Sequence, residues 1–406
     1  MGEHFHPLQD EATLTARPEA EINGIGTKAL IAGVIGIAAL ILGFVIDPTQ
    51  FFQSYLVGFL FVVGITLGCL ALTMVHHLTG GSWGMVSRRV WEAATRTLPL
   101  LVVMFIPIAV SLPKIFKWAK PEAAADPIIQ MKVAYLNQEF FLARAILFFA
   151  IWLALAFFLN RWSAQQDASA PQLPGPADRK FRVLSGPGLV LYVLTVTFMS
   201  VDWVMSLDPH WYSTMFGVIF IGGQGLAAIA FTIIMLAALS AVRPFSHVVS
   251  AEQLHDLGKL MFAFIMLWAY FNFSQFLIIY SANLPEEIPF YLERFHGGWG
   301  LLSIALVVGH FALPFSLLLS RDLKRNRRTI ALIAAFVLVM RVLDLIWTIG
   351  PMFHHEGSGF PIHWMDVAAV LGLGGLWLFV CARQLKSRAL VPYKDPYFKE
   401  AMYVAH

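Results

Sequence analysis

Of the ionisable side chains inside the long apolar stretches of this 406-residue sequence, four are the strongest candidates for chemistry: Asp202, His310, Arg341 and Asp344. A charge at the centre of a bilayer costs roughly 2.5–3.5 kcal/mol, so such a residue is a functional candidate by default. Arg341 and Asp344 have the i,i+3 spacing of an ion pair on one helix, and histidine exchanges protons near neutral pH. The group predicts a proton relay. The alternative is a set of structural ion pairs that hold helices together.

A second candidate site lies in the segment Tyr-Phe-Asn-Phe-Ser-Gln at residues 270–275. Aromatic rings can stack on a quinone head group while amide groups bond its oxygens. Tyr270, Asn272 and Gln275 are therefore the predicted quinone contacts. The alternative, which composition alone favours, is a lipid-facing helix rich in Phe with its polar residues turned inward.

The other charged residues and histidines indicate structure more than chemistry. Glu92 and Arg96 have i,i+4 spacing and are interpreted as a structural pair, and Arg144 lies near one end of its apolar stretch. A haem b needs two facing interior histidines, and only His310 is deep enough, so no haem is predicted. No metal site is predicted either, because the histidines near the loops match no ligand spacing; these are His296, His354, His355 and His363.

Composition places these residues in a membrane. The chain is 58% hydrophobic and 13% charged, with a mean hydropathy of +0.70, whereas soluble proteins have about 25% charged residues. A helix needs about 20 apolar residues to cross the bilayer. Such stretches predict an all-α integral membrane protein with ten spans: 28–46, 52–77, 90–112, 139–160, 186–206, 212–240, 257–281, 299–320, 329–350 and 364–382.

The distribution of Lys and Arg predicts the orientation. Five of the 28 basic residues lie on one side of the ten spans and three lie within spans, while the other twenty share a side with both termini. By the positive-inside rule, both termini are cytoplasmic. Residues 1–27 then form a cytoplasmic tail without the features of a signal peptide. The net charge is +3, but the basic residues form no continuous stripe, so nucleic acid is not an expected partner.

A short internal similarity suggests two related halves. Asp202 and Asp344 each lie seven residues before a proline, and Asp-Pro pairs stand at 47–48 and 208–209. The pattern predicts two parallel four-helix bundles, residues 47–209 and 210–351, because a shift of four spans keeps the direction of each helix. A peripheral helix over 28–46 and a final helix with a cytoplasmic tail over 352–406 flank them.

The ten-span plan, the two four-helix bundles, the 270–275 segment and the Asp-Pro turns resemble the NrfD-like membrane proteins. Within them, the chain is most similar to the ActF-type subunits of bacterial alternative complex III. The resemblance implies the bacterial inner membrane and a complex that oxidises menaquinol. It also implies an ActC-like NrfD-type neighbour and partner subunits with iron–sulfur clusters and c-type haems. ActF-type subunits have no redox centre, and a proton half-channel is proposed for them.

The expected function is therefore a subunit of a quinol:acceptor oxidoreductase with a proton path through Asp202, His310, Arg341 and Asp344. Menaquinone is the one ligand expected to contact this chain, and no cofactor is expected to be covalently bound. The chief alternative is a polytopic secondary transporter. A purely structural scaffold within the same complex is the third hypothesis.

Overall fold

The computed structural model describes residues 11–169, 176–353 and 361–398, and these residues form helices without any β-strand. Three short 3-10 segments and one π-helical segment interrupt the α-helices. The helices are α1 Glu11–Leu14, α2 Glu19–Ile46, α3 Pro48–Thr79, α4 Ser82–Thr95, α5 Leu98–Ala109, α6 Leu112–Ile115, α7 Pro127–Met131, α8 Gln138–Ala168, α9 Pro176–Trp203, α10 Phe216–Leu239, α11 Phe245–Val248, α12 Ala251–Ala282, α13 Pro289–Phe295, α14 Gly297–Leu306, α15 Leu313–Leu319, α16 Arg321–Arg325, α17 Arg327–Phe353 and α18 Trp364–Lys386.

The helix lengths are those of a multi-pass membrane protein. Within the described ranges, nine helical segments are long and apolar enough to cross a bilayer, with α14 and α15 joined as one of them. The pair α4–α5 passes the same test together but bends by 42°. The ten predicted spans therefore correspond to nine continuous helices and one bent pair.

The bend between α4 and α5 has a cause in the sequence. Arg96 and Thr97 separate the two helices, and Pro99 is at the first turn of α5. Proline has no N–H to continue the hydrogen bonds of a preceding helix, but it fits the first turn of a new one. The span predicted over 90–112 is thus divided at Arg96 and Thr97 into two helices, which together count as a tenth candidate span.

The first long helix also differs from its prediction. α2 begins at Glu19 and not at residue 28, so part of the predicted N-terminal tail is helical. Pro18 precedes the helix, and Glu19 and Glu21 lie in its first turn. Acidic residues stabilise a helix N-terminus through the helix dipole, which explains why a polar segment extends the apolar one.

Two helices form the centre of the molecule. α3 and α10 are almost wholly buried, and they contact each other as well as α9 and α17. By contrast, α2 buries little of its surface and packs closely on α18, so the first and last spans are neighbours. A Cβ at Gly36 or Gly375 would collide with the backbone of the opposite helix. Small residues allow this approach, as is common in membranes.

The two Asp-Pro pairs differ in their local structure. Asp47 caps α3, and its carboxylate accepts from the N–H groups of Thr49 and Gln50 at 3.0 and 3.1 Å. Asp208 lies well before α10, which begins at Phe216. The parallel repeat of two four-helix bundles therefore stays a prediction.

Candidate functional site

The predicted pair on α17 is formed. A guanidinium nitrogen of Arg341 bonds Asp344 Oδ2, and both side chains are buried. Arg341 lies against Gly223 of α10, where a Cβ would collide with the guanidinium group. The glycine therefore provides the space for a charged side chain between two packed helices.

A tryptophan completes the set of donors to Asp344. Trp268 of α12 donates its indole N–H to Oδ2 at 3.2 Å. Both donors thus bind the same carboxylate oxygen, and Oδ1 accepts no hydrogen bond from the residues that the structure describes. Asp344 also lines a cavity, so one oxygen remains available to a ligand.

His310 lies on the other side of Trp268. The two rings stack with centroids 4.3 Å apart and planes 20° apart. His310 is fully buried, and neither ring nitrogen has a hydrogen-bond partner in the described structure. An unpaired buried polar group costs about 1–3 kcal/mol. The residue lies in the π-helical segment Val307–Ala312, and such turns are frequent at functional sites.

The cavity beside Asp344 has a volume of about 620 Å³ and is lined mainly by aromatic and aliphatic side chains of α12, α13, α14 and α17. Tyr270, Phe273 and Val307 belong to its wall and are more than half exposed. The cavity therefore opens at the outer, mainly apolar surface of these candidate spanning helices.

The predicted quinone contacts divide between this cavity and its support. Tyr270 and Asn272 line the cavity, whereas Gln275 lies behind it. Gln275 accepts from Ser213 at 2.8 Å and donates to the Tyr291 hydroxyl at 3.3 Å. Tyr291 does line the cavity, and no sequence pattern pointed to it, because it lies in the short helix α13.

Asp202 is in a different environment. Both of its carboxylate oxygens accept from Arg144 of α8, at 2.7 and 3.0 Å, and Asp202 is fully buried. The rings of Tyr135 and Phe140 lie 3.8 and 4.4 Å from the guanidinium carbon. Asp202 therefore belongs to an inter-helix ion pair, apart from the group around Asp344.

Arg294 is a second residue that sequence reasoning missed. It is almost fully buried and donates to the backbone carbonyls of Trp347 and Thr348, at 3.1 and 2.6 Å. The Trp347 carbonyl has no helical donor, because residue 351 is a proline and has no N–H. Arg294 thus satisfies the backbone of α17 next to the cavity wall.

Charges also cluster at the face where most basic residues lie, here called the basic face. Glu92 binds Arg88 at 2.9 Å and Arg89 at 2.6 Å, not the predicted Arg96. Arg96 donates instead to the backbone carbonyls of Glu92 and Gln384. The carboxylate of Glu92 binds the two arginines of the preceding helical turn. The predicted partner, Arg96, was therefore wrong, but the interpretation of Glu92 as part of a structural ion pair stands.

Among the described residues, one group of three ligand-type side chains lies close enough together for a metal ion: Glu252, His255 and Asp256. Arg325 and Lys259 already pair with its two carboxylates, at 3.2 and 2.9 Å. His354 and His355 lie outside the described residues. The absence of a metal site stays a prediction.

No protein-family model and no curated protein matches this chain significantly.

Proposed function

We propose that this chain is a membrane subunit of a menaquinol-oxidising electron-transfer complex of the bacterial inner membrane, without a redox centre of its own. The observation that carries the proposal is the position of Asp344, which lines the open cavity and whose Oδ1 accepts no hydrogen bond from the described residues. The resemblance to ActF-type subunits supports the same conclusion. Electrons would leave to iron–sulfur and haem subunits, and an ActC-like subunit would be a neighbour.

The cavity suits a quinone head group in size and polarity. Its wall offers aromatic rings for a planar apolar ring, together with few polar groups, among them Asn272, Tyr291 and Asp344. Ligand pockets of this kind typically enclose about 300–1,000 Å³ and have a small number of orienting polar groups. A long isoprenoid tail would extend between Tyr270 and Val307 into the bilayer.

The chemistry assigned to this chain is proton uptake. Oxidation of the hydroquinone releases two electrons, which leave to the partner subunits, and two protons, of which one passes to Asp344 Oδ1 and the other to water. Arg341 and Trp268 hold the other oxygen, so the carboxylate keeps its orientation. His310 is the next group that can carry a proton, since it is the nearby titratable ring on which the charge of Asp344 acts, and it stacks on the Trp268 that binds Asp344.

Replacement of Asp344 tests this role in the intact complex. Asp344→Asn keeps the size of the side chain and its bond to Arg341 but removes the proton acceptor. We expect quinol oxidation to fall about 10²- to 10⁴-fold, the range for loss of a general base, while the complex still assembles. Asp322→Asn, at an exposed position of α16, is the matched control. Normal turnover of Asp344→Asn would refute the proposal.

The cavity has a separate test. Val307→Trp adds bulk to an exposed part of its wall and leaves Asp344 unchanged. We expect a raised KM for quinol and weaker labelling by a photoreactive quinone, because the new ring fills the entrance. Labelling as strong as in the unsubstituted protein would place the quinone elsewhere.

Co-purification distinguishes this function from a secondary transporter. After gentle solubilisation, a complex subunit travels with haem absorbance and iron–sulfur signals. A colourless monomer or homodimer that binds a small polar solute would support the transporter and contradict the proposal. Protease protection of tags at both ends tests the predicted cytoplasmic location of the termini.

A further inference from the structure

A second cavity, of about 200 Å³, lies at the basic face. The residues that line it are distant in sequence from those that line the quinone cavity. Three segments form it: the end of α8, the start of α9 and the C-terminal segment 387–398. Its polar wall includes Gln165, Ser169, Lys180 and Lys394, and Phe181 lies beside them. Two ammonium groups on one small cavity make it suitable for an anion.

The C-terminal segment is firmly held, so the position of Lys394 is fixed. Asp395 binds Arg88 at 2.6 Å and accepts from the Gln166 amide at 3.3 Å. Leu390, Val391 and Phe398 are buried. Lys394 is therefore attached to a packed segment, and it does not belong to a free tail.

The carboxylates nearby do not neutralise the two lysines. These carboxylates already form ion pairs with arginines. Arg88 binds Glu92 and Asp395, Arg89 binds Glu92 and Asp167, and Arg388 lies near Glu92. Lys180 lies 5.5 and 5.7 Å from the ring centroids of Trp162 and Phe181. Within the described ranges, neither Lys180 nor Lys394 forms an ion pair with a carboxylate, which leaves a local excess of positive charge.

Apolar side chains continue from this cavity toward the membrane interior. Phe158 precedes Gln165 by two helical turns, and Val183 follows Lys180 by one turn, so each lies on the same helix face as its partner. Phe158 and Val183 are 43% and 61% exposed. A ligand with an anionic head and apolar chains would therefore contact both parts of this surface.

We infer that the 200 Å³ cavity binds the phosphate of an anionic phospholipid, with Lys180 and Lys394 as its charge partners and the acyl chains along Phe158 and Val183. Basic pockets at the cytoplasmic side of membrane helices are suited to such head groups. The site is independent of the proposed quinol chemistry, because it shares no residue with the quinone cavity.

Lipid titration of the purified full-length protein tests the site. Native mass spectrometry would follow binding of phosphatidylglycerol and phosphatidylcholine to delipidated protein. We expect selective binding of phosphatidylglycerol, and a roughly 30-fold weaker affinity after Lys180→Gln with Lys394→Gln. Lys180→Arg with Lys394→Arg should keep the binding, since it keeps both charges.

The control is Lys259→Gln with Lys324→Gln, which makes the same charge change on the same face outside the cavity. The affinity of this control variant for phosphatidylglycerol should stay within about twofold of that of the unsubstituted protein. An equal loss in the control would show attraction to the whole face and overturn the site. Displacement of phosphatidylglycerol by excess inorganic phosphate would show a free-phosphate site and overturn the assignment to lipid. If the glutamine variant unfolds, equal binding of both lipids by the unsubstituted protein would still refute the proposal.

Discussion

Asp202 and Asp344 occupy matching places in the sequence but have different surroundings. Arg144, from another helix, binds both oxygens of Asp202, and the carboxylate is fully enclosed. Arg341, from the same helix, binds one oxygen of Asp344, and the carboxylate borders a cavity. The first pair joins α8 to α9, whereas the second lies within α17 and is linked to α12 by the Trp268 hydrogen bond.

This difference separates a structural charge from a functional one. An ion pair between helices contributes to tertiary packing, which explains its presence even though burial of two charges is costly. The ion pair within α17 does not itself join two helices, and the Trp268 hydrogen bond from α12 occupies the same oxygen as Arg341, so packing leaves Oδ1 of Asp344 unexplained. The sequence similarity predicts equal roles in a proton path, and we propose instead that Asp202 stabilises the protein while Asp344 accepts protons.

The largest expected effect is on stability at the first pair. Arg144→Leu leaves Asp202 enclosed without its partner, and removal of one member of a buried pair costs about 3–5 kcal/mol. Arg341→Leu should cost clearly less, because Asp344 keeps its bond to Trp268 and borders the cavity. Reversible unfolding in mixed micelles measures both. Equal losses of unfolding free energy would remove the distinction between the two pairs.

A substitution at Gly223 tests whether packing around Arg341 controls the orientation of the Asp344 carboxylate. Gly223→Ala places a Cβ against the guanidinium group of Arg341, and overpacking of this kind costs about 1–3 kcal/mol. We expect lower quinol oxidation, because Arg341 moves and Asp344 moves with it. The control is Gly374→Ala, where no atom lies within 4 Å of the added Cβ. A neutral result at Gly223 would show that the orientation of Asp344 does not depend on Arg341.

His310 should show opposite effects on stability and function. His310→Phe keeps a ring stacked on Trp268 and removes two unpaired nitrogens. We expect stability to rise by about 1 kcal/mol while proton release during quinol oxidation becomes slower. Thermal unfolding and proton release in proteoliposomes give the two readouts. Unchanged proton release would exclude His310 from the path after Asp344.

Helix geometry decides which of these contacts the sequence can predict. The Arg341–Asp344 pair is confirmed, since residues three apart on one helix are neighbours on its surface and their side chains can meet. Glu92 has arginines at three positions within one turn on either side, and spacing does not choose among them, so Arg96 was the wrong partner. Arg144 and Asp202 are 58 residues apart in sequence, and only the packing of α8 on α9 makes them neighbours.

The spans were predictable for a similar reason, since about 20 apolar residues in a row leave few alternatives. The cavity was not predictable. It depends on the π-helical segment Val307–Ala312 and on the short helix α13, whose Arg294 binds backbone carbonyls near the end of α17. Tyr270 and Asn272 were identified by residue type, but Tyr291 required the fold.

The smallest expected effect lies in the loops next to the Asp202 pair. Asp126 caps α7 and lies 2.8 Å from His210, so it links the segment 113–137 to the loop after α9. Burial opposes ionisation of Asp126, but the N–H groups of Ile129 and Ile128 and the nearby His210 outweigh it, so the pKa of this carboxyl lies below its ordinary value.

A lowered carboxyl pKa stabilises the folded state above the unfolded pKa of about 3.9, and this contribution is lost as the pH falls through the folded value. Asp126→Asn should therefore lower hydrogen-exchange protection of α7 at pH 7, and the difference from the unsubstituted protein should disappear in acid. Glu122→Gln, at an exposed position of the same segment, controls for the loss of a charge. The rate of quinol oxidation should not change, because neither Asp126 nor His210 lines the cavity, whereas Tyr135 of the same segment accepts from Arg144, the partner of Asp202. A fall in turnover would mean that the region around Asp202 takes part in the chemistry after all, as the sequence similarity predicts.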